Sequence, residues 1–374
     1  MIRGHQVLLL GMTFTWMALL LFLKDWRFGL PATRNQPNVG ALGKRSLTKV
    51  LPCQFIIQSG VDTSTPEPSR TEAVTAVVPR VWETYPGLNW RGLQLPILSA
   101  QPMGRLGNVM GQYATLLALG HAYNATVRLS PDMKRYLGKI FPNLTMPLVP
   151  GKFSRQDWVP LRSLSIWNYA KSEMAAAGLL GPRLFLLTDW PFETQLFDTY
   201  RQEVVKEFKF APHIKEEAEN FLRGIVMKEQ DKDPTPPVLV GVHVRRTDYV
   251  EFIKKYEGKV PGEVYFRRAL QYYRHKYPRV VFIVASDDRK FITEKFSHYP
   301  DIIFSLGTTR QADMATLASC NHSIITVGSY GFWTGYLTGG EVVYPNITFG
   351  KLYTFSREWY KMSRLKNFTP ISTD

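Results

Sequence analysis

The chain has 374 residues but only two cysteines, Cys53 and Cys320. That excludes a scaffold stapled by several disulfides; one long-range bridge, or two free thiols with Cys320 as a small buried apolar residue, are the readings left. The seven histidines form no H-E-x-x-H array and pair with no cysteine cluster, so zinc chemistry has no support. Asp231-Lys232-Asp233 has the spacing of a metal-binding DxD, yet it lies among Glu, Lys and Pro and reads as a loop. No metal ligands and no cofactor are assigned. Acidic charge is also scarce, 31 Asp plus Glu against 46 Lys plus Arg, for a net +15. Such a balance favours a polyanionic partner. The basic residues are scattered without a zinc-finger or RNP-type pattern, which sets nucleic acid aside and leaves anionic lipid or a phosphate-bearing substrate. No internal repeat is present, and 45% hydrophobic with 13% aromatic residues is the composition of a packed α/β or mixed protein.

One apolar run stands out. Val7 to Leu23 is uncharged and is closed by Lys24, Asp25 and Arg27. Its 17 residues sit at the short end of what crosses a bilayer. No small-x-small cleavage site follows, so it reads as an uncleaved signal anchor. Short spans suit Golgi membranes. Five Asn-x-Ser/Thr sites, at Asn124, Asn143, Asn321, Asn346 and Asn367, place the C-terminal body in the lumen. N-glycans are expected at Asn124, Asn143 and Asn346; Pro370 after the last site and expected burial of Asn321 beside Cys320 argue against the others. The expected organisation is a tail over 1–6, an anchor over 7–23, a turn-rich stalk over 24–90 and a lumenal catalytic body over 91–374, with lobes 91–235 and 236–374.

The second half of the body alternates periods. Val238 to Val244 and Val280 to Ala285 are β-branched apolar runs of the kind a buried parallel strand requires. Helical spacing is expected from Glu263 to Tyr277, from near Lys290, and from Asp313 to Cys320, with short strands at Ile302–Phe304 and Ser323–Val327. That order, β-α-β-α-β-α-β, is the signature of a doubly wound sheet. In the first half Leu93–Leu98 reads as a strand, Asn108–His121 as a helix and Thr126–Leu129 as a strand. Met103-Gly104-Arg105-Leu106-Gly107 is the glycine-rich turn between the first two, which would aim a helix N-terminus at phosphate or sugar oxygens. The expectation is an α/β protein of two Rossmann-like lobes facing a cleft, behind the anchor.

The most informative stretch is His243-Val244-Arg245-Arg246-Thr247-Asp248. It falls at the C-terminal end of the best-defined strand, where open α/β sheets bind ligands. Strand alternation would send His243 and Arg245 to one side and Arg246 to the other, so one arginine faces a ligand while the other orients it or binds Asp248. A guanidinium suits a diphosphate because its planar fork donates two parallel charge-assisted bonds. A purely structural Arg-Asp network is the competing reading.

Gly241 to Tyr249 resembles the arginine motif shared by α1,2-, α1,6- and protein O-fucosyltransferases. Gly104-Arg-Leu-Gly-Asn108 and Gly111 to Leu119 are similar to the first motif of galactoside α1,2-fucosyltransferases, and Asp313 to Gly340 closely resembles their C-terminal motif. The resemblance implies a GT-B-like fold and metal-independent, inverting transfer of L-fucose from GDP-β-L-fucose to O2 of a terminal galactose, in the Golgi as a type II membrane protein. Its implied partners are GDP-fucose, a galactose-ended glycan and the Golgi membrane, and it is compatible with a homodimer. It implies His243 beside the guanosine, Arg245 on the diphosphate, Asp313 on the nucleoside, Ser329 on phosphate, and Asn108 lining the donor site with Gly104 and Gly107 keeping its turn open. The galactoside enzymes usually carry Gly at the position of Thr247 and Gln at that of Val109. The α1,6 branch has a glutamate base where this chain has Ile253, so no base carries over. Asp248, Glu251, Asp287 and Asp288 are the nearby acids, with Asp248 the expected arginine partner; Asp248 and Glu251 join Arg245 as the catalytic set. Rival readings are a fucosyltransferase of another acceptor or linkage, a non-enzymatic glycan-binding relative, and a sulfotransferase, although Gly104 to Asn108 lacks the Lys-Ser/Thr ending of a phosphate loop.

Overall fold

The computed structural model describes residues 85–162, 170–351 and 353–374. The expected tail and anchor, most of the stalk, and Cys53 lie outside them. Among the described residues no helix is long and apolar enough to cross a membrane. The described residues all fall within one compact unit.

The body opens with a small hairpin, β1 (Asn89–Trp90) and β2 (Leu93–Gln94), followed by β3 (Ile97–Ala100). The single strand expected over Leu93–Leu98 is therefore two. Pro96 has no N–H to give a ladder, so the pairing is broken there and the chain changes sheets. Next come α1 (Leu106–Tyr123), β4 (Thr126–Val127), α2 (Pro131–Leu137), β5 (Val159–Arg162), α3 (Ala170–Ala176) and β6 (Leu184–Thr188). Strands β3 to β6 make a parallel sheet of order β4-β3-β6-β5. Strand alternation divides its side chains between two layers. Leu98, Ala100, Phe185 and Leu187 pack with buried residues of α1, while Ile97, Leu184 and Leu186 lie under Trp158, Val149 and the hairpin's Trp90 and Leu93.

Short helices α4 (Thr194–Asp198) and α5 (Arg201–Glu207) lead to α6 (Pro212–Gln230) and the second sheet. That sheet is built from β7 (Val238–Val244), α7 (Thr247–Lys255), α8 (Glu263–Lys276), β8 (Val280–Ser286), α9 (Arg289–Phe296), β9 (Ile302–Phe304), α10 (Arg310–Ala318), β10 (His322–Ile324), α11 (Ser329–Thr338), β11 (Val342–Pro345), α12 (Arg357–Ser363) and β12 (Phe368–Ile371). Its order is β12-β11-β10-β7-β8-β9, all parallel. Counted from β7 this is 3-2-1-4-5-6, the dinucleotide-fold order, with its switch point between β7 and β10. Helices cover both faces. Val240, Val242 and Val244 pack with Tyr265, Phe266 and Tyr273 of α8, whereas Leu239, Ile283 and Ala285 pack with Leu222 and Ile225 of α6 and with Leu317 and Cys320. α6 thus straddles the two lobes: Ile214 and Ala218 pack in the core that contains α1, while Leu222 and Ile225 pack on the second sheet.

Cys320 is a buried free thiol, and burial pushes its pKa up to about 12. Asn321, expected to be buried beside it, is exposed: its carboxamide oxygen accepts from the Leu239 N–H, which holds the residue at the N-terminal end of the central strands β7 and β10.

The two sheets share one core. Phe192, just after β6, meets Phe332 of α11 and Phe355 edge-on, with ring centroids 5.2 Å apart in each case, and Trp333 of α11 is fully buried with its indole N–H donating to the Gly107 carbonyl at 2.9 Å. Gly107 is required by close approach. A Cβ there would stand 2.6 Å from the backbone of Ser329 and Tyr330. Gly107→Ala is expected to push α1 and α11 apart and lower unfolding free energy by about 1–3 kcal/mol, as overpacking does. Urea unfolding checks this, and a loss below about 0.5 kcal/mol would mean that the seam yields.

Candidate active site

The site lies where the seam crosses the C-terminal ends of the strands. In the first lobe, the main chain of Met103 is clamped by the buried Gln112 carboxamide, which accepts from the Met103 N–H at 3.1 Å and donates to its carbonyl at 2.9 Å. Gly104 follows at φ 84°, where a side chain would be strained and would crowd Asn108, and α1 begins. In the second lobe, Gly328 at φ 124° delivers the chain to α11. Neither helix has a side-chain N-cap, since Arg105 and Gly328 hold those positions without capping bonds. Two uncapped N-termini thus meet, joined by the Ser329 hydroxyl donating to the Asn108 Oδ1 at 2.6 Å. Their first-turn N–H groups and dipoles make a ready anion site.

Behind α11 is His243, buried at the end of β7. Its ring lies 5.0 Å from that of Tyr330, and its Nδ1 is 3.4 Å from the Thr326 hydroxyl. Burial, opposed by Asp287 and reinforced by Arg245, lowers its pKa to about 4, so the ring is neutral at ordinary pH. The Thr326 Oγ1 also accepts from the Arg245 N–H at 2.8 Å, bridging β7 to the segment after β10 at the switch point.

The arginines are matched by acids. The Arg245 side chain is 17% exposed and donates to both Asp287 and Asp248. Asp248 also faces Arg105 of the first lobe at 3.4 Å. Arg246 runs the other way, its guanidinium 3.7 Å over the Phe291 ring and its Nε 3.6 Å from Asp288, itself the N-cap of α9. The expected division of labour is thereby corrected: Arg245, the cleft arginine, is the one that holds Asp248. Thr247 donates to Asp287, so the hydroxyl that departs from the usual glycine helps to fix the acid on Arg245. Val109 is simply core, 1% exposed.

Asp313 sits on the first turn of α10, half-buried, where the Ser305 hydroxyl donates to it; burial raises its pKa against the opposing pull of Ser305, Arg289 and the Gly307 N–H. The Tyr330 hydroxyl donates to the Arg310 carbonyl, so a wall of His243, Tyr330, Arg310 and Asp313 runs along the sheet's C-terminal edge. Gly104, Gly107, Asn108, His243, Arg245, Asp248, Asp313 and Ser329 thus share one region. Glu251 does not join them: it is 79% exposed, pairing with Lys254 at 3.0 Å. Asp231-Lys232-Asp233 ends α6, with Asp233 accepting from the Thr235 N–H and facing Arg279 at 3.4 Å, so it terminates a helix. No group of three or more His, Cys, Asp or Glu that could hold a metal occurs among the described residues. Arg105, Thr326, Tyr330 and Gln112 are site residues the sequence did not single out. All four lie inside the motifs that carry the family resemblance, which was the available signal, but nothing local marks them out within those motifs.

A dinucleotide-order sheet with two uncapped helix N-termini and an arginine at its switch point defines an α/β protein suited to bind an anionic ligand between two lobes. The chain belongs to glycosyl transferase family 11, whose model matches residues 89–359. It is 33% identical over 274 residues to the galactoside alpha-(1,2)-fucosyltransferase 1 of Leontopithecus chrysomelas, covering 69% of this chain and 73% of the relative. It is 34% identical to that of Saimiri sciureus, covering 69% and 72%. Among solved structures, POFUT1 in complex with GDP-fucose is similar at 11% identity with a TM-score of 0.43, over 65% of this chain and 94% of that one, a likeness too remote to bear on chemistry.

The buried neutral His243 fixes a pH dependence. Unfolding lets it titrate normally, so stability is complete above about pH 6.5 and falls as pH drops toward about 4, by up to about 1.4 kcal/mol per unit. Urea midpoints at pH 7 and 5 should show this loss, and His243→Gln should reduce the difference; an unchanged slope would place the titration elsewhere.

Proposed function

We propose that this glycosyltransferase moves L-fucose from GDP-β-L-fucose to O2 of a terminal galactose, with inversion and without a metal, as a type II membrane protein of the Golgi. The observation that carries the reading is the Asn108–Ser329 bond at the meeting of two helix N-termini beside Arg245. The kinship with galactoside fucosyltransferases supplies the donor and acceptor. A GT-B-like arrangement follows naturally, with the donor in the second lobe and the acceptor cleft between lobes. Asn124 and Asn143 are exposed and suit N-glycans; Asn346 is half-buried with its carboxamide oxygen enclosed, the less open of the three proposed sites.

In this reading the diphosphate lies across the N-termini of α1 and α11, and Arg245 takes up the charge that grows on it as the C1–O bond to fucose breaks. Asp248 and Asp287 hold that guanidinium in place, so little reorganisation is needed during reaction. Ser329 and Asn108 position the phosphate end, and His243 and Asp313 the nucleoside. The acceptor O2 attacks the opposite face of C1, and its proton leaves as the bond forms. The acids nearest the cleft are already engaged by Arg245, while Glu251 faces solvent. This favours a transition state with advanced departure of GDP and a cationic ring, in which a strong base is not needed.

Arg245→Ala should lower turnover by about 100-fold or more, the loss of one preorganised donor at about 3–4 kcal/mol. The assay is fucose transfer from labelled GDP-fucose to lactose by full-length protein in detergent micelles, with EDTA present. A folded variant retaining more than about a tenth of wild-type activity would remove Arg245 from this role, and loss of wild-type turnover in EDTA would remove the metal-free mechanism.

A further inference from the structure

The first sheet brings two loops together at its centre. β3 and β6 are its central strands, and their C-terminal ends carry the Gly104 turn and the Asp189-Trp190 pair. Asp189 and Trp190 lie at φ 63° and 56°, two consecutive left-handed residues that are not glycine. That conformation crowds Cβ against the backbone and persists where the surrounding fold imposes it. What it presents here is an indole that is 52% exposed. A structural tryptophan in this body looks different, as Trp333 and Trp359 do at 0% and 1%.

The indole is not adrift on the surface. A Cβ placed on Gly104 would stand 3.0 Å from the Trp190 Nε1 and would also crowd Asn108, the residue that accepts from Ser329 across the seam. Trp190 therefore stands beside the anion site, on the first-lobe side. The opposite wall, His243, Tyr330 and Asp313, belongs to the sheet of dinucleotide order, which takes the nucleotide. The face left to a second substrate is the one Trp190 occupies.

We infer that Trp190 is the platform on which the acceptor galactose stacks, and that it sets acceptor affinity; the inference rests on the galactoside-fucosyltransferase reading above. The axial O4 of galactopyranose leaves the C–H groups at C3, C4 and C5 together on one face, an apolar patch that matches the face of an indole. The N–H at the ring edge remains a donor for a sugar hydroxyl. An exposed aromatic face beside a few fixed polar groups is the composition of a carbohydrate subsite.

The test is steady-state transfer by the full-length protein in detergent, varying lactose and GDP-fucose separately, for wild type, Trp190→Ala, Trp190→Leu and Trp190→Phe. Trp190→Ala and Trp190→Leu should raise KM for lactose about tenfold or more, with KM for GDP-fucose moving less than about twofold, and Trp190→Phe should recover most of the acceptor affinity. Leucine keeps apolar bulk but has no π face, so recovery with leucine would mark the indole as packing and overturn the proposal. An unchanged lactose KM in the alanine variant, or a rise in both KM values together, would overturn it as well. Wild-type protein that transfers no fucose from GDP-fucose would bring down the functional reading and this inference together, whereas normal wild-type transfer with an indifferent Trp190 brings down this inference alone.

Discussion

Two helix N-termini face one another at the centre of this molecule, and that juxtaposition governs the rest. Each end carries roughly half a positive charge on N–H groups that no side chain caps, so bringing the ends of α1 and α11 together is electrostatically unfavourable until an anion lies between them. The fold imposes the arrangement through apolar packing behind it. Phe192, Phe332, Trp333 and Trp359 fill the seam, the Trp333 N–H ties α11 to the Gly107 carbonyl, and only glycine at 107 lets the backbones approach so closely. The core thus stabilises a polar arrangement suited to an anion.

The basic sequence suggests a strongly cationic cleft, but the side-chain charges at the site nearly cancel. Arg105, Arg245 and Arg246 are matched by Asp248, Asp287 and Asp288. Positive potential at the reaction centre then comes from backbone N–H groups as much as from arginine. The acids act chiefly as fixtures: Asp248 and Asp287 hold the Arg245 guanidinium, and Thr247 braces Asp287. A neutral His243 adds no further charge.

Much of the second lobe could be read directly. Val238–Val244 was legible because both of its faces are buried and its residues are β-branched, and Glu263 begins a helix whose Tyr265, Phe266 and Tyr273 prove to be core. The first lobe was harder. β4 is two residues long, β5 contains Pro160, and α4 and α5 are too short for a 3.6-residue period to register. α6 was missed although it is long, because its apolar residues Ile214, Ala218, Leu222 and Ile225 are sparse among charged ones. Asn321 misled for a related reason: its neighbour Cys320 is core, but α10 has already ended at Ala318 and Asn321 is exposed.

The sequence by itself determined the family, the β-α alternation and the residue types at the site, since these reside in local pattern and in motifs spaced within single segments. It could not determine which arginine holds which acid, that Gly107 admits the second helix, or that Trp190 stands exposed beside Asn108. Apart from the Arg245–Asp248 pair, those facts depend on contacts between segments about 40 to more than 200 residues apart. Such contacts are set by the strand order of two sheets and the packing between them, and strand order leaves no local trace where both main sheets are wholly parallel.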